Sequence, residues 1–258
     1  MRHLLYLCLL FPMLASCSSG DKGPTVEERK EAQNQKYLDQ LLVEQNTLHV
    51  TDSLIQTIIP RINEVTAKSF DYEKSEYDDL GHFVPKGMST DENVQRTYIR
   101  CAVDEYGQTQ LISTYCGAKL GHTQLRITAG DGSSVTTSAI PYNDGSNYQY
   151  EIDGTHYETV TFVAGRKTGS DQVNADTDGG AFSFIALHAD DQKLYATLLG
   201  GKKEVRVNIS ASERKGLVAC YELGVLLRDK LRLEQENKTS AGKIQYLQEV
   251  IEKKNLNK

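Results

Sequence analysis

Apolar and polar positions along the chain fall into three textures. From about Thr25 to Ser69 there is no glycine, and apolar residues recur in steps of three and four. Leu38, Leu41, Gln45, Leu48, Asp52, Ile55, Ile59 and Ile62 form one such seam, and its spacing predicts a long amphipathic helix with a coiled-coil-like stripe. Thr25 is placed to cap its start, with Glu27 and Glu28 in the first turn where acids suit the helix dipole. Pro60 lacks an N–H and crowds the preceding turn, so a kink or interruption is expected there. Gln45 and Asp52 within the seam would fix register or partner number at some cost in stability.

From about Asn93 to Ile209 the period shortens to two. Thr97–Val103, Gln110–Tyr115, Gln124–Thr128, Tyr157–Val163, Ala181–Leu187, Lys193–Leu199 and Glu204–Ile209 read as strands, rich in β-branched and aromatic residues. Turn dipeptides punctuate them: Asp131-Gly132, Asp144-Gly145, Asp153-Gly154 and Gly200-Gly201. Asp153-Gly154, between Tyr148–Ile152 and Thr155–Val163, is the clearest hairpin because both residues tolerate positive φ. The fold class expected is α+β: an antiparallel β-sandwich or jelly-roll-like domain, with a closed barrel as the alternative.

From Ser210 the helical rhythm returns. Ser210-Ala211-Ser212-Glu213 has capping-box spacing. Leu217, Cys220, Gly224, Leu227 and Leu231 make one stripe; after a polar stretch, Ile244, Leu247 and Ile251 resume it in a shifted phase. A lone narrow stripe is not buried in water, so the two terminal helices are expected to pair antiparallel as a stalk. Parallel pairing between chains, giving a homo-oligomer, is the competing arrangement. The expected organisation is 1–16 signal, 17–24 tether, 25–70 helical stalk, 71–92 linker, 93–209 β domain and 210–258 second stalk helix.

The extreme amino terminus is different again. Arg2 and His3 precede an apolar run from Leu4 to Leu14 that is too short for a bilayer span of roughly 20 residues. It ends in Leu14-Ala15-Ser16-Cys17, which resembles the lipobox of bacterial lipoproteins. That resemblance implies cleavage before Cys17 and acyl chains, palmitate among them, on that cysteine. The implied location is the bacterial envelope, lipid-anchored at the outer membrane on its periplasmic or surface face. Two or more acyl chains anchor stably without a transmembrane helix.

Net charge is −6, and removing Arg2 with the signal takes it to −7, which argues against nucleic acid as a partner. Of five cysteines, Cys8 lies in the signal and Cys17 is the anchor. An oxidising compartment permits disulfides, and Cys101 and Cys116, on strands flanking the turn near Gly107, are the expected pair; Cys220 reads as core. No cofactor is implied. Asn174, Asp176 and Asp178 alternate as in a calcium loop, but the twelfth position is Ile185 rather than an acid, and an acidic surface turn is the better reading. His122, His156 and His188 lack metal-ligand spacing and read as solvated or hydrogen-bonded strand residues. No nucleophile elbow or triad signature is present.

Fourteen tyrosines and no tryptophan leave one aromatic clue. The segment carrying Tyr142, Asn143, Asp144 and Tyr148 has the character of a binding loop. The expected function is therefore non-catalytic binding or scaffolding in the envelope, with an envelope protein or glycan as partner. A hydrolase acting on glycan or peptidoglycan is the rival. The helix-flanked β module is also distantly similar to periplasmic adaptor subunits of export machines. Those place a helical hairpin inside the β modules, whereas here the helices sit at the two ends.

Overall fold

A computed structural model describes residues 23–74, 80–88, 95–142, 144–165, 176–201 and 203–255. Two long helices, α1 (Val26–Ser69) and α3 (Ala211–Asn255), bracket ten strands and a short helix, α2 (Ala181–Leu187). The strands are β1 (Phe70–Lys74), β2 (Gly81–Pro85), β3 (Tyr98–Asp104), β4 (Thr109–Cys116), β5 (His122–Ala129), β6 (Ser134–Thr136), β7 (Asn147–Ile152), β8 (Thr155–Ala164), β9 (Leu194–Gly200) and β10 (Lys203–Asn208). They form two antiparallel sheets, one ordered β1-β2-β3-β4-β8-β7 and the other β10-β9-β5-β6. The class is α+β, with a long helix at each end of the β region.

Each sheet carries its core as cross-strand rows. In the six-stranded sheet Cys101, Leu111 and Phe162 lie side by side across β3, β4 and β8, each at most 1% exposed. In the other, Leu125 faces Leu198, Ile127 faces Ala196 and Ala129 faces Leu194, all buried. These rows, Phe182 and Ile185 of α2, and Leu217, Cys220 and Leu223 of α3 make one hydrophobic cluster. The β7–β8 hairpin turns at Asp153 and Gly154, whose φ values of 50° and 75° suit the primed turn that matches strand twist.

Residues 71–92, assigned to a linker, contain β1 and β2, so the β region begins directly where α1 ends at Ser69. Phe70, 5% exposed, caps that junction by entering the core. Two expectations fail here. The run Ala181–Leu187, read as a strand, is helix α2. Seven residues, six of them apolar, do not separate the two periods. The deciding groups lie before the run: Asp178 accepts from Gly180 and Phe182 N–H through its carboxylate, and Gly179 and Gly180 adopt positive φ. Ala181, Phe182 and Ile185 are then buried, while Leu187 is left 80% exposed. Nor does Pro60 interrupt α1, which continues through it as one 44-residue helix.

Both long helices begin with reciprocal capping boxes. Glu28 and Thr25 exchange bonds of 2.7 and 3.2 Å, as do Glu213 and Ser210. The helices run antiparallel: Arg61 pairs with Glu222 at 3.5 Å, Asp52 with Asn237, and Glu44 with Lys243 at 2.8 Å. At the far end, Lys254 Nζ stands 4.4 Å over the Tyr37 ring. The covered positions of α1 step by three and four through Tyr37, Leu41, Glu44, Leu48, Thr51, Ile55, Ile58 and Ile62. The predicted seam shared Leu41, Leu48, Ile55 and Ile62 but paired them with Leu38, Gln45, Asp52 and Ile59. In the structure Leu38, Gln45 and Asp52 are exposed. A stripe three residues wide allows either neighbour to flank its axis, and the position of α3 selects one.

The phase shift in α3 also acquires a cause. Leu217, Cys220, Leu223 and Leu227 face the β core, whereas Leu233, Ser240, Ile244 and Leu247 lie along the face turned to α1. One continuous helix changes partner midway. Among the described residues, no helix is long and apolar enough to cross a membrane.

Candidate functional site

Two of the acids singled out in the sequence serve the backbone. Asp178, 4% exposed, caps α2 as described, and Asp176 accepts from Gly165 N–H at 2.9 Å. Asn174 lies outside the described residues, as does Asn143. The carboxylates of the proposed calcium loop are thus bonded to backbone N–H groups. They border a cavity of about 440 Å³ shared with Thr109, Phe182, Tyr221 and Arg228. Among the described residues, no group of three or more His, Cys, Asp or Glu side chains is arranged to hold a metal ion.

Tyr142 is 53% exposed and Tyr148 42%. Tyr148 stacks on Tyr150 with centroids 5.8 Å apart, and Tyr150 stacks on its cross-strand partner Tyr157 at 5.2 Å. This ladder ends at the sheet edge, because β7 is an outer strand. The sheet does not bring the expected pair Cys101 and Cys116 opposite each other. The register sets Cys101 opposite Leu111 and Cys116 opposite Tyr157, so the two are not cross-strand partners.

The structure also assembles a polar network in which His122 and His156 are hydrogen-bonded strand residues, with partners, Ser113 and Glu158, that the sequence did not flag. Ser113 on β4 is in register with Ile99 and Val160, a buried row, yet carries a hydroxyl. Its Oγ is 3.0 Å from Nε2 of His122, the first residue of β5 in the other sheet. His122 Nδ1 lies 3.2 Å from Glu158 of β8. Glu158 also accepts from the backbone N–H groups of Leu120 and Gly121 at 2.7 Å each and of His122 at 3.1 Å. His156 Nε2 is a further partner at 3.2 Å. The network therefore ties the crossing from β4 to β5 onto β8 and bridges the two sheets.

Its electrostatics follow from burial. Desolvation works to raise the Glu158 carboxyl, but the N–H groups of Gly121, Leu120 and His122, with the His122 imidazole, outweigh it and hold the group at about 2. Burial lowers His122 below the usual histidine value, against the opposing pull of Glu158. The neutral imidazole then carries its proton on Nδ1 toward the carboxylate, leaving Nε2 to accept from Ser113.

Acid, imidazole and hydroxyl in that order form the constellation used for acyl transfer. Here Ser113, His122 and Glu158 are each at most 1% exposed, so no substrate carbonyl can approach the hydroxyl. What the arrangement can do is fasten the sheets together. The signal for it was parity: Ser113 and Glu158 sit in phase with Leu111 and Val160, on the core side of their strands, where a polar residue requires a partner.

A further concavity lies on the helical pair. It measures about 540 Å³ and is bordered by Lys36, Asp39, Val43, Glu44, Lys243, Tyr246 and Leu247. Lys243 and Ser240 hydrogen-bond the Glu44 carboxyl and hold it below the usual carboxylate range. Compared with known proteins, the chain matches no protein-family model and no curated sequence.

Proposed function

We propose that the chain is a non-catalytic lipoprotein of the bacterial envelope, in which a helical stalk holds a β-sandwich away from the membrane for binding or scaffolding. The lipobox Leu14-Ala15-Ser16-Cys17 lies outside the described residues and enters as sequence alone. The observation that carries the reading is the direction of the helical pair. α1 starts at Val26, nine residues beyond Cys17, and runs toward the β region, where Ile62 and Phe70 join the core. Its first turns are therefore the end nearest the anchor, and the β module lies at the other end. At 1.5 Å per residue, the 44 residues of α1 span about 66 Å.

The alternation of three and four among covered positions supports an antiparallel two-stranded coiled coil closed within one chain. The working surface is then the distal β module, whose exposed Tyr142 and Tyr148 offer aromatic area with a polar tip to a protein or glycan. The buried state of Ser113 favours binding over hydrolysis.

Replacing Cys17 with Ala tests the anchor. The wild-type chain is expected to incorporate labelled palmitate and sediment with membranes, and the variant to do neither. A Cys17→Ala chain that still fractionates with membranes at wild-type level would sink the proposal. Sedimentation of that variant also tests the intrachain pairing, for which a monomer is expected.

A further inference from the structure

We propose that Cys101 and Cys220 form a disulfide in the mature protein, locking helix α3 onto the six-stranded sheet. The two thiols come from β3 and α3 and are 1% and 0% exposed. The Cys220 thiol neighbours Cys101, and Cys101 Sγ donates to Met88 Sδ at 3.6 Å, the same sulfur that a Cβ on Gly216, one turn before Cys220, would meet at 3.3 Å. A disulfide needs Cα atoms within about 7 Å, closer than a helix usually approaches a sheet whose spacing is set by large side chains.

The sequence around Cys220 removes that obstacle. Gly216 and Gly224 stand one turn to either side of it. A Cβ on Gly216 would come within 3.0 Å of Met88 Cε, and one on Gly224 within 2.5 Å of Thr109 Cγ2. Glycine at both positions lets the helix backbone seat closely against Pro85 of β2 and Thr109 of β4, with Cys220 between the two contacts. Cys116, half-buried at the far end of β4, has no such partner thiol among the described residues.

Closing the bond removes two protons and two electrons from the pair. A protein or glutathione disulfide accepts them: one thiolate attacks it to form a mixed disulfide, and the second cysteine displaces that sulfur and releases two thiols. Burial drives the Cys220 thiol well above its usual range, so the folded reduced protein presents little thiolate. The bond is made as α3 docks, not after.

This inference rests on the export reading for its oxidant, and the experiment separates the two. The full chain purified from envelopes is alkylated under denaturing, non-reducing conditions and mapped by mass spectrometry. The expected result is one modified thiol, Cys116, and a peptide linking Cys101 to Cys220 that disappears on reduction. In parallel, a full chain carrying C8S and C17S is reduced, unfolded and refolded with mixed reduced and oxidised glutathione. The same link is expected there, and C116S should retain it. Free Cys101 and Cys220 in both preparations, or a link through Cys116, would overturn the pairing. A link only in the refolded chain would confirm the pairing and overturn the export reading. As a second readout, reductant should lower the denaturation midpoint of the wild-type chain and leave that of C220A unmoved.

Discussion

The β core and the helical pair bury their surface in different ways. In the β module the inward rows are apolar apart from the Ser113–His122–Glu158 network, with Leu111, Val160, Phe162, Leu125, Ile127 and Leu198 all fully buried. In the helical pair the covered stripe alternates apolar residues with Glu44, Thr51, Asn237 and Ser240, and only a few of its positions are fully buried. Thr51 satisfies its hydroxyl on the carbonyls of Thr47 and Leu48, and Glu44 uses Lys243. A globular core has an interior in which side chains lose water on every side. A two-helix pair has only a seam, so it tolerates polar groups but gains less from each apolar one. The difference teaches that the two regions carry separate stabilities although α3 runs through both.

The sharpest way to break that comparison is in the core. Phe162→Ala should cost about 4 kcal/mol of global stability, read as a shift in the urea midpoint. A loss under 1 kcal/mol would mean the rows are not the main support. Next comes the polar bridge. Glu158→Gln should cost on the order of 3 kcal/mol, because it removes the charge to which three backbone N–H groups and two imidazoles point.

That variant also sharpens the pH dependence. Glu158 is lowered from 4.5 to about 2, so its contribution is present above 4.5 and lost as pH falls from there toward 2. His122 is lowered from 6.5, so the unfolded chain binds the extra proton first and stability also falls once pH drops below about 6.5. Wild-type stability should decline in both windows on acidification. In Glu158→Gln the lower window should flatten, and a slope unchanged between pH 4.5 and 2 would rule out the assignment.

Smaller effects belong to the helical pair. Leu247→Ala should cost about 2 kcal/mol, felt locally. Amide exchange should quicken along the early turns of α1 and the last turns of α3 and stay unchanged in β4, β5 and β8. Quickening in those strands would show one cooperative unit instead of two. The smallest effect is at Lys243→Ala, expected to cost about 0.5 kcal/mol and to shrink further in high salt, since the lysine is 56% exposed.

Much of the architecture was legible from periodicity. Seven strands, β3, β4, β5, β7, β8, β9 and β10, follow alternation that local sterics impose, with a turn signal as at Asp153-Gly154, and both helix starts were written in Thr25 and Ser210. Where reading failed, the cause was a choice that local sequence leaves open. Ala181–Leu187 is short enough to satisfy either period, and Asp178, four residues before Phe182, decided it. The partner positions of Leu41 and Leu48 depended on which flank α3 occupies. Glu158, within a strand correctly placed, was unremarkable until His122 arrived from the other sheet.

The sequence by itself determined which segments are helix and which are strand over most of the chain, where the long helices start, and that the ends carry narrow apolar stripes in need of cover. These follow from backbone sterics, capping and the period of burial, all of which act within a few residues. Only the tertiary structure decided that the stripes cover each other, that Ser113, His122 and Glu158 meet between two sheets, and that Cys101 faces Cys220 in place of Cys116. Those contacts join segments up to 199 residues apart, and long-range contacts are set by how whole faces pack, not by any local pattern.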